Sequence, residues 1–241
     1  MTEYGLQLYS VRDLTKDDFS SALKQVAEMG YKFVEPAGFF GHSAEDVVAM
    51  LKEYGLKLSG THSSLKDLDE NFAETIKYHQ AIGNKNYIIP GAPYTTAAET
   101  AVLVEKLNKY KEMLAKEGIT LAYHNHDGEF KPNKDGQIVH EILQKETDID
   151  FEIDTYWAFC AGLDPVETIT KLKDRVHVIH LKDGTRDRKG LSLGLGEAPV
   201  TAVRAKAMEL GMKMVVESEG CDPTGIEEVK RCIEFLKGLE K

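Results

Sequence analysis

The sequence lacks the features that mark several common protein classes. In its 241 residues, no apolar run approaches the roughly 20 that a membrane span needs. Met1-Thr2-Glu3-Tyr4-Gly5 has no basic segment followed by an apolar one, so no secretory signal is visible and cytoplasmic residence is the expectation. Cysteine is scarce: Cys160, Cys221 and Cys232 form no CxxC pair and no even-numbered disulfide framework, which fits structural thiols in a reducing compartment. Basic charge is short as well. Thirty Lys and Arg against 40 Asp and Glu leave a net charge of −10, whereas phosphate-backbone binding needs clustered cations, so neither nucleic acid nor membrane is an expected partner. No GxxxxGK[ST], GxSxG or HExxH run occurs, which leaves P-loop, serine-hydrolase and zincin chemistry without support. Leu193-Gly194-Leu195-Gly196-Glu197 has no third spaced glycine and follows no first strand–helix turn; it reads as a mobile loop, not a dinucleotide fingerprint. There is no Pro- or Ser-rich linker, so residues 1–241 read as a single domain.

What the chain does have is a repeating unit. Short β-prone runs, at 4–10, 32–35, 57–61, 86–90, 119–125, 150–154, 176–181 and 213–217, alternate with helical stretches. Thr15 with Asp18 suggests a capping box for the first helix, and Gly30, Gly55, Gly83 and Gly118 sit where left-handed helix C-caps belong. Eight strands alternating with eight helices imply parallel strands joined by right-handed crossovers. At this length they predict an α/β fold, a closed (β/α)8 TIM barrel with its active site at the C-terminal strand ends.

The unusual residues fall at those ends. In Leu121–Phe130, LAYHNHDGEF, alternation puts His124 and His126 on one face and Asn125 on the other. DFEIDTYW, VHVIHLKDG and MVVESEG likewise carry His, Asp or Glu at the close of an apolar run. By parity His124, Asp154, His180 and Glu217 occupy comparable positions, and a mixed imidazole and carboxylate set without thiolate suits Mn2+, Co2+, Fe2+ or Zn2+ more than a structural zinc. Glu152, one step deeper, reads as a buried carboxylate that orients an imidazole. Glu35, His62, Trp157 and Lys182 are candidate substrate-binding residues, Trp157 through its ring face and Lys182 through a substrate oxygen. His42, His79, His140 and His177 read as helical or outward-facing residues without a chemical role.

GLQLYSVRD, GYKFVEP, YHNHDGEF, EIDTYWAFCAGLDP, HVIHLKDG, LGLGEAPV and VVESEG together resemble the sugar phosphate isomerases/epimerases of the xylose-isomerase-like barrel superfamily, a group that includes inosose dehydratase and ketose 3-epimerases. The resemblance covers nearly the whole chain. It implies one divalent ion, most often Mn2+ with Mg2+ also possible, held at His124, Asp154, His180 and Glu217. It also implies a small sugar or sugar-derivative substrate, and homo-oligomers by analogy. The chemistry it implies is proton abstraction beside a carbonyl through a metal-bound enediolate, with Glu217, His126 and His124 as catalytic candidates and His62 as a further proton donor. One departure is His124, where the epimerases carry a glutamate, which puts a two-glutamate epimerisation in doubt. A keto-sugar or keto-inositol dehydratase or lyase using the same residues, and a non-catalytic sugar-binding barrel, are the alternatives.

Overall fold

Side-chain alternation along the strands sets the architecture. The computed structural model describes residues 2–240. Its strands are β1 (Tyr4–Gln7), β2 (Phe33–Glu35), β3 (Lys57–Leu58 and Thr61–His62), β4 (Asn86–Ile89), β5 (Thr120–His124), β6 (Asp150–Asp154), β7 (Val176–Leu181) and β8 (Lys213–Val216). Within this sheet all neighbours pair in parallel, and β1 pairs with both β2 and β8, which curls it into a barrel; a separate antiparallel pair joins Asp183–Gly184 to Gly190–Leu191. The ring closes through β3, whose first half pairs with β2 and whose second half pairs with β4. The sequence reads 57–61 as one strand, but it breaks at Ser59-Gly60. A Cβ on Gly60 would lie 2.6 Å from Ile88 Cδ1, so only a bare backbone fits where the two strands converge.

Residues of one parity point outward. Leu6, Val34, Ile89, Tyr123, Ile153 and Val216 join the helices in the main apolar core. Those of the other parity fill the barrel. Phe33, Val178 and Val215 form a small apolar plug, and Gly5 leaves the room the Phe33 ring needs, since a Cβ there would lie 2.1 Å from it. Above the plug the inward positions are polar: Gln7 pairs in register with Glu35, His124 with Glu152, and Asp154 with His180. The barrel therefore carries a dry floor and a charged upper layer.

Local signals account for most helix ends. Gly30 and Gly55 end their helices at φ 104° and 65°. The expected capping box at Thr15 is not formed. Thr15 closes a short helix, Arg12–Thr15, and Asp18 alone caps Phe19–Met29 by accepting the Ser21 N–H at 2.8 Å. The first strand also stops three residues early, because the Gln7 side chain accepts the Tyr9 N–H at 3.0 Å and starts a tight helical turn. The segment around Leu193 is not the mobile loop expected of it. Leu193 is buried, and the Asp183 carboxylate at the end of β7 accepts the N–H groups of Gly184, Gly194, Gly196 and Ala198 at 2.8–3.1 Å. No helix among the described residues is long and apolar enough to cross a membrane.

Candidate active site

The polar upper layer of the barrel gathers three imidazoles and four carboxylates around one point. β3, β5 and β7 deliver His62, His124 and His180, whose ring centroids lie 4.8–5.4 Å apart. β2, β6 and the end of β8 deliver Glu35, Glu152, Asp154 and Glu217, all buried. One donor atom from each of His124, Asp154, His180 and Glu217 falls within 4.8 Å of the others, and a second overlapping set consists of His62, His124, Glu152 and His180.

The hydrogen bonds split this cluster into two sides. His180 Nε2 lies 2.8 Å from Glu35 Oε1, while His180 Nδ1 lies 3.3 Å from Glu217 Oε2. His62 Nε2 lies 2.7 Å from Glu152 Oε2. Gln7 Nε2 donates to Glu35 Oε1 at 2.9 Å and Ser59 Oγ to Glu35 Oε2 at 3.3 Å, so Glu35 is fixed from below. On the upper side, Asp154 Oδ1 accepts the N–H groups of Tyr156 and Trp157, both at 2.9 Å, and caps the helix Thr155–Cys160. Asn125, on the opposite face as alternation requires, locks β5 to β6 by accepting the Asp154 N–H at 3.1 Å.

Several buried atoms of this cluster have no hydrogen-bond partner: both nitrogens of His124, Asp154 Oδ2 and Glu152 Oε1. Buried polar groups are nearly always paired. A neutral imidazole and a carboxylate oxygen, both bare and beside His180 and Glu217, are the donor set of a divalent ion. The residues present therefore fit such an ion. The electrostatics agree. Burial lowers the basicity of His124 well below the usual range, helped by its histidine neighbours, which keeps its lone pair free. Burial alone would raise Glu217, but the charges of Lys182 and His180 outweigh it and hold the carboxyl well below its usual range. Glu152 is held low against burial by His180 and His62 in the same way. Burial raises Asp154 to about 6, partly offset by Lys182. His62 is raised, because the bond to Glu152 and the Glu35 charge overcome its desolvation.

The candidate substrate contacts separate. His62 and His126 line a cavity of about 900 Å³ that opens from the cluster, together with His124 and Glu217. His126 lies beyond the end of β5, its ring perpendicular to that of His124 at 5.1 Å. Glu35 is fully buried and is not among the residues lining the cavity; its oxygens meet His180, Gln7 and Ser59. Lys182 is also buried, its ammonium 3.0 Å from Glu217 and from Glu219 and 3.8 Å from Asp154. Its ammonium thus lies among three carboxylates. Trp157 packs behind the site, 4.6 Å from the Lys182 ammonium and 5.8 Å from the His126 ring. Of the histidines read as inert, His140 is a buried core residue and His177 is exposed, but His42 and the largely buried His79 both line the cavity, and His42 stacks on Phe19. Sequence reasoning missed Gln7, whose polar side chain at an inward-facing position of β1 was the available signal.

A family model described as the xylose isomerase-like TIM barrel matches residues 23–239. Among curated proteins, the chain is 28% identical over 192 residues to an inosose dehydratase of Mesomycoplasma hyopneumoniae, an alignment covering 70% of this chain and 64% of that one, so it spans less than two thirds of that relative's length. Among solved structures, it is 28% identical to a sugar phosphate isomerase/epimerase from Parabacteroides distasonis, with a TM-score of 0.84 and 98% of each chain covered. The D-allulose 3-epimerase of Methylomonas sp., solved in complex with D-allulose, shares the fold at a TM-score of 0.73 and 15% identity, over 98% of this chain and 96% of its own.

Proposed function

Because this chain belongs to the xylose isomerase-like TIM barrel family, we propose that it is a divalent-cation-dependent enzyme that isomerises or epimerises a sugar or sugar derivative by moving a proton on a carbon beside a carbonyl. The observation that carries this reading is the buried set His124, Asp154, His180 and Glu217, in which both His124 nitrogens and Asp154 Oδ2 have no other partner. An ion held by these four, with Mn2+ the leading candidate, would supply Lewis-acid stabilisation of the charge that develops on the substrate oxygens.

The chain's own groups divide the remaining work. Lys182 and His180 keep Glu217 ionised at the cavity wall, where it can accept the proton from carbon. His62 lines the same cavity, and its contacts with Glu152 and Glu35 favour its protonated form, so it can return a proton to the intermediate. His126 is the second group within the cavity that can do so. Return to the neighbouring carbon isomerises; return to the opposite face epimerises.

A dehydratase is the second reading. The resemblance to the epimerases implies a glutamate where this chain has His124, which disfavours a two-glutamate mechanism, and the curated relative is named for a dehydratase. In that case His62 or His126 protonates a departing β-hydroxyl. The two readings share the first step.

The test is elemental analysis of protein purified without chelator or nickel, followed by incubation with small ketoses in heavy water. A single bound divalent ion, lost in Asp154→Ala and His180→Ala, with deuterium appearing beside the carbonyl, is the expected result. Release of water from a keto-sugar would select the dehydratase. Absence of bound metal, with no thermal stabilisation on adding Mn2+, would overturn both and favour a sugar-binding barrel.

A further inference from the structure

The cavity above the cluster is larger than a single sugar requires. Its volume of about 900 Å³ lies at the upper end of the roughly 300–1,000 Å³ typical of small-molecule sites. The acid/base groups occupy one end only. The other end is walled by Phe39, Phe40, His42 and Tyr78. Among the described residues no lysine or arginine lines the cavity, whereas Asp67, Glu74, Glu217 and Glu219 do. A phosphate there would face carboxylates with no free cation, since the Lys182 ammonium is already 3.0 Å from both Glu217 and Glu219.

Phe40 is held toward this space at a cost. Its φ is 52°, in the left-handed region, where a bulky residue costs about 1–3 kcal/mol. Its ring packs on Phe19 at 5.8 Å yet the residue remains 47% exposed, and Tyr9 nearby is 46% exposed. Both also line an adjoining hollow of about 560 Å³, so they form a ridge between two connected spaces. An apolar, one-sidedly exposed aromatic ridge bordered by carboxylates suits a sugar ring, whose C–H face packs on an aromatic face while its hydroxyls donate to the acids.

We propose that the substrate is an uncharged disaccharide-like sugar: its reacting unit, which carries the carbonyl, sits at the His/Glu cluster, and a second sugar ring stacks on Phe40 and Tyr9. This rests on the function proposed above and narrows its substrate class.

The test is calorimetric binding of glucose, cellobiose, phenyl β-glucoside and glucose 6-phosphate to the Mn2+-loaded protein and to its Phe40→Gly and Tyr9→Ala variants. Glycine removes the ring and suits the left-handed backbone, so this variant keeps the fold. Cellobiose is expected to bind about tenfold tighter than glucose, near 1.4 kcal/mol. Phe40→Gly should abolish that gain, Tyr9→Ala should reduce it, and neither should alter glucose binding. Equal affinities for glucose and cellobiose overturn the proposal. So does a gain for phenyl β-glucoside without one for cellobiose, which marks a flat aglycone, or tightest binding of glucose 6-phosphate. Deuterium exchange into small ketoses reads the chemistry separately. Exchange without a cellobiose gain removes the second subsite and keeps the enzyme, whereas a Phe40-dependent cellobiose gain without exchange keeps the subsite and removes the chemistry.

Discussion

Glu35 Oε1 lies 2.8 Å from His180 Nε2, across the barrel from a strand 145 residues earlier in the chain. With Nε2–H donated to Glu35, Nδ1 faces Asp154 and Glu217, at 3.9 and 3.3 Å, and an ion held there would take the place of the Nδ1 proton that Glu152 and Glu217 favour against burial. A carboxylate that fixes the tautomer of a ligating histidine commonly contributes 10–100-fold to metal affinity. Glu35→Gln keeps an acceptor of the same shape but removes its charge. Mn2+ affinity, measured by calorimetry, should fall by about tenfold or more with little change in melting temperature. Unchanged affinity would show that Glu35 only fills space.

Asp154 carries two separable roles on its two oxygens. Oδ1 caps the helix Thr155–Cys160 and Oδ2 is bare. Asp154→Asn retains a capping oxygen and loses the negative charge, so metal binding should fail while the metal-free protein stays about as stable as the parent. Asp154→Ala should lose both, with the cap alone contributing about 1 kcal/mol. Denaturant titration of both metal-free variants separates the effects. Equal stability of the two would mean the cap is immaterial.

How much of this arrangement was legible in the sequence depends on the range of the interaction. Parity along β5 to β8 points His124, Asp154, His180 and Glu217 into the barrel, because alternation is a local rule; the register staggers them, His124 level with Glu152 and His180 with Asp154 and Val215, yet their donor atoms still meet within 4.8 Å. The break in β3 was not legible, since it arises from the approach of Gly60 to Ile88 on the next strand. Nor were the roles of Glu35 and Lys182. Both are polar residues near strand ends, and only the closed ring shows that their neighbours are the site's own histidine and carboxylates instead of open cavity. The Asp183 clamp was hidden for a related reason: glycine-rich loops look mobile until an acceptor is placed inside them.

Lys182 places a fixed positive charge beside the candidate ligands Glu217 and Asp154. Lys182→Met removes that charge while keeping much of the apolar stem. In the metal-free protein this leaves buried carboxylates without a counter-charge, and removing one partner of a buried ion pair costs about 3–5 kcal/mol. Mn2+ would then meet less repulsion and restore the lost charge balance. The variant should melt lower than the parent without metal and show the larger rise in melting temperature when Mn2+ is added. A smaller rise than in the parent would mean that Lys182 assists ion binding.

His140 gives the barrel a sensitivity to acid away from the site. It is buried between Phe130 and Phe151, with ring centroids 4.4 and 4.7 Å away, and its Nε2 has no partner. Burial lowers its pKa to about 3, with Arg175 and Lys171 adding to the effect. The unfolded chain, with an ordinary histidine near 6.5, binds the proton first as pH falls, so stability from this residue is full above that value and is lost toward pH 3. His79, lowered to about 4 by burial, acts in the same direction. His140→Phe retains the aromatic stack and removes the titration. It should change stability at pH 7 by less than about 1.5 kcal/mol and remove about 3 kcal/mol of the destabilisation seen at pH 4. Parallel urea titrations at the two pH values measure both quantities. The same acid loss in the variant as in the parent would place the sensitivity elsewhere, with His79→Gln the next substitution to compare.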